Sequence, residues 1–462
     1  MAPSPDDRHP SAIMRRSAGA DQIGVAALKG EDELLRSLHS MSLRRRFLGR
    51  LGDRFDGEPP SLRIRFWDGE SFDFAAAPRV TIVLRRRRLM RRFLTGDIGG
   101  LARAYVRGEI EVEGRLQDVL DTGIGIAERL GRSRVLRGLS RLAAHRPFRH
   151  SKARDTAAIA YHYDVSNDFY RLWLDRQMIY SCAYFSSGEE DLDTAQQQKL
   201  DHICGKLRLA PGQRLLDIGC GWGGLLCRAA QHHGIEGVGI TLSDQQFAYA
   251  RERVAALGLA RQVEIRRQDY RELEQSAGFD RIVSVGMYEH VGIANLPRYF
   301  AIISRLLRPG GLALNHGITA TQRDGQAQGP PGGEFIDEFV FPGGELPHIS
   351  RVLYEIAGAG LEILDMEDLR PHYPPTLLHW VRRLDTAREA AIAAAGVERY
   401  RIWRMYMAGM AYAFDRGWLS VCQTLVQRPR ADGPAPRPWT RAYQYRPEPA
   451  PPLSHAPDWG EL

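Results

Sequence analysis

The stretch Arg214–Gly224, RLLDIGCGWGG, decides how this chain is read. Leu215 and Leu216 suit a strand buried on both faces of a parallel sheet, and Asp217 stands where that strand stops. Gly219, Gly221 and Gly223 follow in a turn where bare backbone leaves room for a ligand. The run also contains G-x-G-x-x-G at Gly219, Gly221 and Gly224, so a nicotinamide dinucleotide is one ligand it suits. Plain turns use glycines too, and the rest of the chain has to choose the ligand.

Working outward, helix–strand alternation runs from about residue 157 to 426, the pattern of a parallel sheet covered on both faces. Strands are predicted at 214–218, 237–241, 263–267, 280–285 and 311–315. One intervening helix begins at Leu296 with Pro297 in its first turn and stops at Arg308-Pro309-Gly310. A helix over 348–357, a strand over 361–366, a helical region over 376–416 and a strand over 418–426 follow. Upstream, LRIRFWDGESFDF (62–74) alternates apolar and polar residues around Asp68-Gly69, a hairpin signal, and VTIVL (80–84) leads into an arginine-rich helix. The expected fold is α/β: a Rossmann-like, doubly wound sheet preceded by a small α+β domain. The expected divisions are a disordered segment 1–30, a basic domain with helical linker 31–155, a catalytic domain 156–427 and an unstructured tail 428–462. That tail carries nine of the 26 prolines.

At 462 residues, two domains plus tails are expected. The five cysteines (Cys182, Cys204, Cys220, Cys227, Cys422) form no C-x-x-C pair, and the histidines have no H-E-x-x-H spacing. A disulfide framework and a metal site are therefore not expected, and a reducing cytoplasm is. No run approaches the ~18 apolar residues of a membrane span, and the first residues lack the apolar segment of a signal peptide. Residues 1–155 hold 31 Lys and Arg against 20 Asp and Glu, the remainder 32 against 36. The positive excess peaks at Arg85, Arg86, Arg87, Arg88, Arg91 and Arg92. Such a run suits a solvated helix face or an anionic phospholipid surface. No aromatic-rich nucleic-acid signature accompanies it, so a peripheral association with the inner face of the membrane is the favoured partner, and nucleic acid is not expected. A homodimer is compatible with the sequence.

Two positions bear on the ligand. Asp244 lies near the distance past the glycines where a dinucleotide enzyme holds its ribose with an acid, so the nicotinamide reading survives there. Asp269-Tyr270, after the third strand, suits a donor whose adenine amino group meets a carboxylate and whose base packs on a ring; a helix-capping acid is the alternative. The D-x-G-x-G-x-G order beginning at Asp217 resembles a class I methyltransferase binding S-adenosylmethionine.

Longer motifs carry a closer resemblance. HYDVSNDFYRLWLD (162–175), YSCAYF (180–185), LLDIGCGWGG (215–224), FDRIVSVGMYEHVG (279–292), FIDEFVFPGGELP (335–347) and PHYPPTLLHW (371–380) stand in order. Together they resemble the cyclopropane-fatty-acyl-phospholipid synthases and mycolic acid cyclopropane synthases over roughly 157–427. AYVRGEIEVEG (104–114) is similar to the small domain of the bacterial phospholipid-acting members. The resemblance implies methyl transfer from S-adenosylmethionine to a cis alkene of an acyl chain, followed by proton loss and ring closure, with a bound bicarbonate as base in a dry pocket.

By the same resemblance, Cys182, Glu289, His316, Ile318 and Tyr373 surround the bicarbonate. Glu289 and His316 orient it and share in the proton relay, Tyr373 donates its hydroxyl, and Cys182 and Ile318 contribute mainly backbone groups. Tyr180 and Ser181 approach the carboxylate end of the donor. Gly219 and Gly221 approach its methionine part, with Asp217 also among the donor-binding residues; Thr241, Leu242 and Gln246 approach its ribose, and Asp269 and Tyr270 hold its adenine. Two departures stand out. Met410 occupies a late-helix position where many members have cysteine, and Asn315-His316-Gly317-Ile318 replaces the usual Leu-His-Thr-Ile. The second leaves methyl transfer more firmly implied than ring closure, with a methyl-branched or methylene product as the alternative. Small-amine N-methyltransfer is a further one.

Overall fold

The computed structural model describes residues 41–52, 59–95, 97–115, 166–274, 278–322, 333–341, 344–433 and 437–445, with a few positions between 118 and 126. The expectations for residues 1–30 and for the linker over 127–155 lie outside the described residues. The chain divides into two compact units. One comprises residues up to Asp97 with Glu109–Arg132, the other Ile98–Gly108 with everything from Ser133 onward. Residues 98–108, read from the sequence as part of the first domain, thus group with the second.

In the first unit, α1 (Met41–Gly52) precedes β1 (Leu62–Arg65), β2 (Ser71–Asp73), β3 (Val80–Leu84), α2 (Arg88–Thr95) and β4 (Ile110–Glu113). The sheet order is β2-β1-β3-β4. The β1–β2 hairpin turns where expected, with Gly69 at φ 87°, a conformation glycine adopts without steric cost. Leu62, Ile64, Val80, Leu84, Leu89 and Ile110 are buried. Beside the hairpin, the buried Arg44 pairs with Asp68 at 2.6 Å and lies over the Trp67 ring at 4.8 Å. The arginine run is not a single helix face: Arg85–Arg87 precede α2, and Arg88, Arg91 and Arg92 lie on it. Arg85 pairs with Glu111 at 3.7 Å, Arg88 with Glu109, and Arg92 with Asp97 at 3.8 Å.

The second unit holds α3 (Ile98–Val106), α4 (Asn167–Arg171), α5 (Leu192–Leu207), β5 (Arg214–Ile218), α6 (Gly224–His233), β6 (Glu236–Thr241), α7 (Asp244–Ala256) and β7 (Val263–Arg267). These are followed by β8 (Phe279–Val285), α8 (Leu296–Leu306), β9 (Leu307–Ala320), α9 (Gly333–Phe339), α10 (Ile349–Gly358), β10 (Glu362–Asp368), α11 (Tyr373–Thr386), α12 (Arg388–Asp415) and β11 (Leu419–Gln427). The sheet order is β10-β11-β9-β8-β5-β6-β7; β11 runs antiparallel to both its neighbours. Leu215 packs with α5, α6 and α7 on one face, while Leu216 packs with α8 and α10 on the other. That two-sided burial is why these strands read as apolar runs without alternation. The strand order switches at β5, which pairs in parallel with both β6 and β8, so a crevice opens beyond the carboxyl ends of these strands.

Three predicted elements differ. β9 begins at Leu307, because Arg308–Gly311 continue the strand as a bulge opposite Phe279–Arg281. The helical region 376–416 begins earlier, at Tyr373, and is two helices, the second kinked where Gly396 takes φ 83°. The tail is not unstructured throughout. Arg441 pairs with Asp365 at 2.6 Å, and the Gln444 carbonyl lies 3.1 Å from His202 Nδ1, so residues 437–445 have partners that proline content could not reveal.

Candidate active site

The crevice holds about 970 Å³ of space, counting its open mouth. Its floor is the glycine hairpin after β5. Gly219, Gly221 and Gly223 take φ of 83°, 55° and 79°, all left-handed. A side chain on Gly224 would meet Ile179 Cδ1 at 2.5 Å, whereas one on Gly221 would meet nothing within 4 Å. Gly221 therefore faces open space, where a ligand can approach bare backbone. The hairpin is braced from outside: Arg253 of α7 donates to the Gln177 carbonyl at 2.7 Å and the Trp222 carbonyl at 3.1 Å.

Of the predicted donor residues, Tyr180, Ser181, Asp217, Gly219, Gly221, Thr241, Leu242, Gln246 and Tyr270 line this crevice together. Thr241 Oγ1 donates to Gln246 Oε1 at 2.7 Å, locking both in place after β6. Asp269 does not line it. Its carboxylate takes two hydrogen bonds from the Arg271 guanidinium, at 2.9 and 2.7 Å, and caps the Arg271 amide at 2.9 Å. The capping alternative describes that side chain, and Gln268 faces the crevice instead. Asp244, the acid that kept a dinucleotide in play, is two-thirds exposed and pairs with Arg267 at 2.9 Å, outside the lining.

Sequence reasoning missed Lys199. It is buried on α5, lines the crevice, and donates from Nζ to Ser181 Oγ at 2.9 Å. Burial lowers its pKa to about 8, opposed chiefly by the charge of Asp175. Burial likewise raises Asp217 to about 7, opposed by Lys199. The signal was available in principle: Lys199 and Lys206 stand seven residues apart, both on the inward face of a helix whose other buried residues, Gln196 and His202 apart, are apolar. Also unforeseen is the buried aromatic cluster of Tyr170, Trp173, Tyr180, Trp380 and Trp403, of which Tyr180 lines the crevice, its centroid 5.2–5.8 Å from the other four.

The predicted anion-holding residues fall into two sets. In one, Glu289 follows β8 in the turn Tyr288–His290, and its Oε1 accepts from the Ile318 amide at 2.7 Å. Tyr288 donates its hydroxyl to the Ile318 carbonyl at 2.9 Å. His316 precedes on β9, buried, its carbonyl accepting from Gly286 at 2.8 Å. A side chain at 317 would run into the Tyr288 ring, so glycine at this departure from the family pattern is required by packing. In the other set, Cys182 is fully buried with its thiol held un-ionised by that burial. The neighbouring Ala183 amide donates to Thr376 Oγ1 at 3.1 Å, on the first turns of α11, which begins at Tyr373. Tyr373 is buried with its ring 4.5 Å from Phe414. Met410 is buried in α12 and does not line the crevice.

Glu289 Oε2 is buried without a hydrogen-bond partner, and burial raises the carboxyl to about 7. A buried oxygen left so is costly, and a water or a ligand that donates a hydrogen bond would satisfy it.

The chain is similar to known proteins. Residues 150–424 match the family model described as mycolic acid cyclopropane synthetase, and residues 58–130 match a domain of unknown function. A probable fatty acid methyltransferase of Pseudomonas putida is 46% identical over 83% of this chain and 96% of its own. The cyclopropane-fatty-acyl-phospholipid synthase of Escherichia coli (strain K12) is 39% identical over 58% of this chain and 66% of its own. The structure of mycolic acid cyclopropane synthase CmaA1 complexed with SAH and CTAB superposes with a TM-score of 0.56, at 35% identity, over 59% of this chain and 98% of that one. With a Rossmann-like methyltransferase sheet, a glycine loop open to a ligand and this match over more than half its length, the chain belongs to the mycolic acid cyclopropane synthetase family and is an S-adenosylmethionine-dependent methyltransferase.

Proposed function

We propose that the protein transfers a methylene group from S-adenosylmethionine to the cis double bond of an unsaturated acyl chain in a membrane phospholipid, giving a cyclopropane fatty acid, with a bound bicarbonate as base. The observation that carries this is the unpartnered Oε2 of Glu289, held beside the Ile318 amide. A bicarbonate hydroxyl is a donor of the kind that oxygen lacks. When bound, S-adenosylmethionine supplies the methyl group and bicarbonate accepts a proton. The residues do the rest. The glycine hairpin admits the donor, and the Lys199–Ser181 pair offers positive charge to its carboxylate end. Glu289 and His316 hold the anion, and Tyr373 turns its hydroxyl to it. Tyr180, backed by the buried aromatic cluster behind it, helps keep water from a cationic reaction centre. The exposed arginines of the first unit favour contact with anionic lipid at the cytoplasmic face.

A second ending has its own support: the relative matched over most of both chains is described as a fatty acid methyltransferase, and Gly317 stands where many members have threonine. That ending is a methyl-branched or methylene product. Incubating the protein with S-adenosylmethionine and unsaturated phospholipid vesicles, then separating the fatty acids by chromatography and mass, tests both. A product one CH2 heavier that co-elutes with a cyclopropane standard is expected. A branched product selects the second ending, and methylation of small amines with none of lipid overturns both.

A further inference from the structure

Behind His316 lies a buried polar chain that the functional reading leaves unused. β11 pairs with β9 so that Gln423 stands opposite His316, and Gln423 Nε2 lies 3.2 Å from His316 Nδ1. On its other side Gln423 Oε1 accepts from Lys206 Nζ at 2.9 Å. Lys206 is buried on α5, and its charge is met by Glu367, whose carboxylate also lies 2.7 Å from His202 Nε2. Gln423 and His316 are buried as well.

The chemistry of these groups allows one arrangement. An ammonium has donors only, so it selects the oxygen of the Gln423 amide. The amide nitrogen is then the end turned toward His316, and an amide NH2 only donates. His316 Nδ1 must accept, so it carries no proton, and the proton of the neutral ring sits on Nε2. We propose that Lys206, acting through Gln423, holds His316 in its Nε2–H tautomer, so that the imidazole meets the bound anion as a hydrogen-bond donor. Lys206 and Gln423 are thus positioning residues for the reaction, and their part in it rests on His316 belonging to the site proposed above. Burial, which lowers the His316 pKa well below its ordinary value with Lys199 and Lys206 adding to the effect, keeps the ring neutral and agrees with this tautomer.

The test is long-range 1H–15N correlation NMR on the full chain labelled with 15N-histidine, with His316 identified by the signals lost in His316→Gln. In the wild type, Nε2 should carry the proton and Nδ1 none. Gln423→Glu keeps a partner for Lys206 but can only accept from the ring, so it should place a proton on Nδ1. Turnover should fall by about 10²-fold or more, up to the roughly 10⁴-fold cost of a wrong histidine tautomer in a catalytic triad, with donor affinity unchanged by calorimetry. Lys206→Met frees the amide to turn over and should give a mixture of tautomers with a smaller loss; Gln423→Glu keeps the question answerable if Lys206→Met fails to fold with Glu367 unpaired. A proton on Nδ1 in the wild type, or an unchanged tautomer in Gln423→Glu, overturns the proposal. If His316→Gln keeps wild-type turnover, the site assignment fails while the tautomer result stands by itself.

Discussion

Glu289 keeps a carboxylate oxygen out of water with nothing bonded to it, and its chemistry follows from that. Its pKa, raised from 4.5 to about 7 by burial, means the folded protein binds a proton there that the unfolded chain releases earlier. Stability is therefore lost as pH rises from about 4.5 through 7, by at most about 3 kcal/mol from this group. Glu289→Gln should remove that slope, so the ligand-free variant should gain on wild type in thermal melts at pH 8 but not at pH 4. The same substitution should lower turnover about 10²-fold or more while leaving donor binding intact, since the amide keeps the shape and loses the acid–base function. Wild-type activity should rise when bicarbonate is returned to a depleted preparation; indifference to it would mean the base is a protein group. At Gly221, with φ 55° and open space before it, Gly221→Val should abolish donor binding by calorimetry. A folded variant that binds normally would move the donor elsewhere.

At the scale of elements, α7 and the glycine hairpin depend on each other through Arg253. Its guanidinium donates to the Gln177, Trp222 and Arg176 carbonyls, tying the loop before Tyr180 to the hairpin. Arg253→Met leaves those carbonyls to find water. Donor affinity should drop about tenfold and stability by roughly 1–3 kcal/mol; calorimetry and urea unfolding check the two effects, and a loss of stability without loss of affinity would make the clamp purely structural. The pairing of β11 with β9 matters in the same way, since it brings Gln423 opposite His316 across more than a hundred residues of chain.

For the whole molecule, the charge asymmetry between the two ends of the chain bears on the proposed lipid contact. Arg85, Arg88 and Arg92 have carboxylate partners inside the first unit, so they are poor candidates for a lipid contact. Replacing Arg86 and Arg87 by glutamine should weaken sedimentation with anionic vesicles several-fold at low salt and less at high salt. Activity on those vesicles should fall with it, while donor binding should not change. Equal sedimentation of variant and wild type would mean the run is a solvated surface.

Local patterns in the sequence specify the layered α/β fold and the glycine turn after β5, and nine of the ten residues that the family resemblance placed at the donor line the crevice. The local patterns are apolar runs that suit strands buried on both faces, glycines required at positive φ, and a proline in the first turn of α8. Only the tertiary structure decided the rest. That Asp269 caps and pairs with Arg271 while Gln268 faces the ligand depends on side-chain direction, which spacing does not encode. That Asp244 turns outward to Arg267 removed the acid that had kept a dinucleotide in play. Lys199 and Lys206 look like ordinary helix lysines until the sheet is laid beneath them, because a buried charge is made tolerable by partners distant in sequence: Ser181 for one, Glu367 and Gln423 for the other. The ordered segment at 437–445 has the same cause, since its composition opposes structure and only its partners on α5 and β10 supply it.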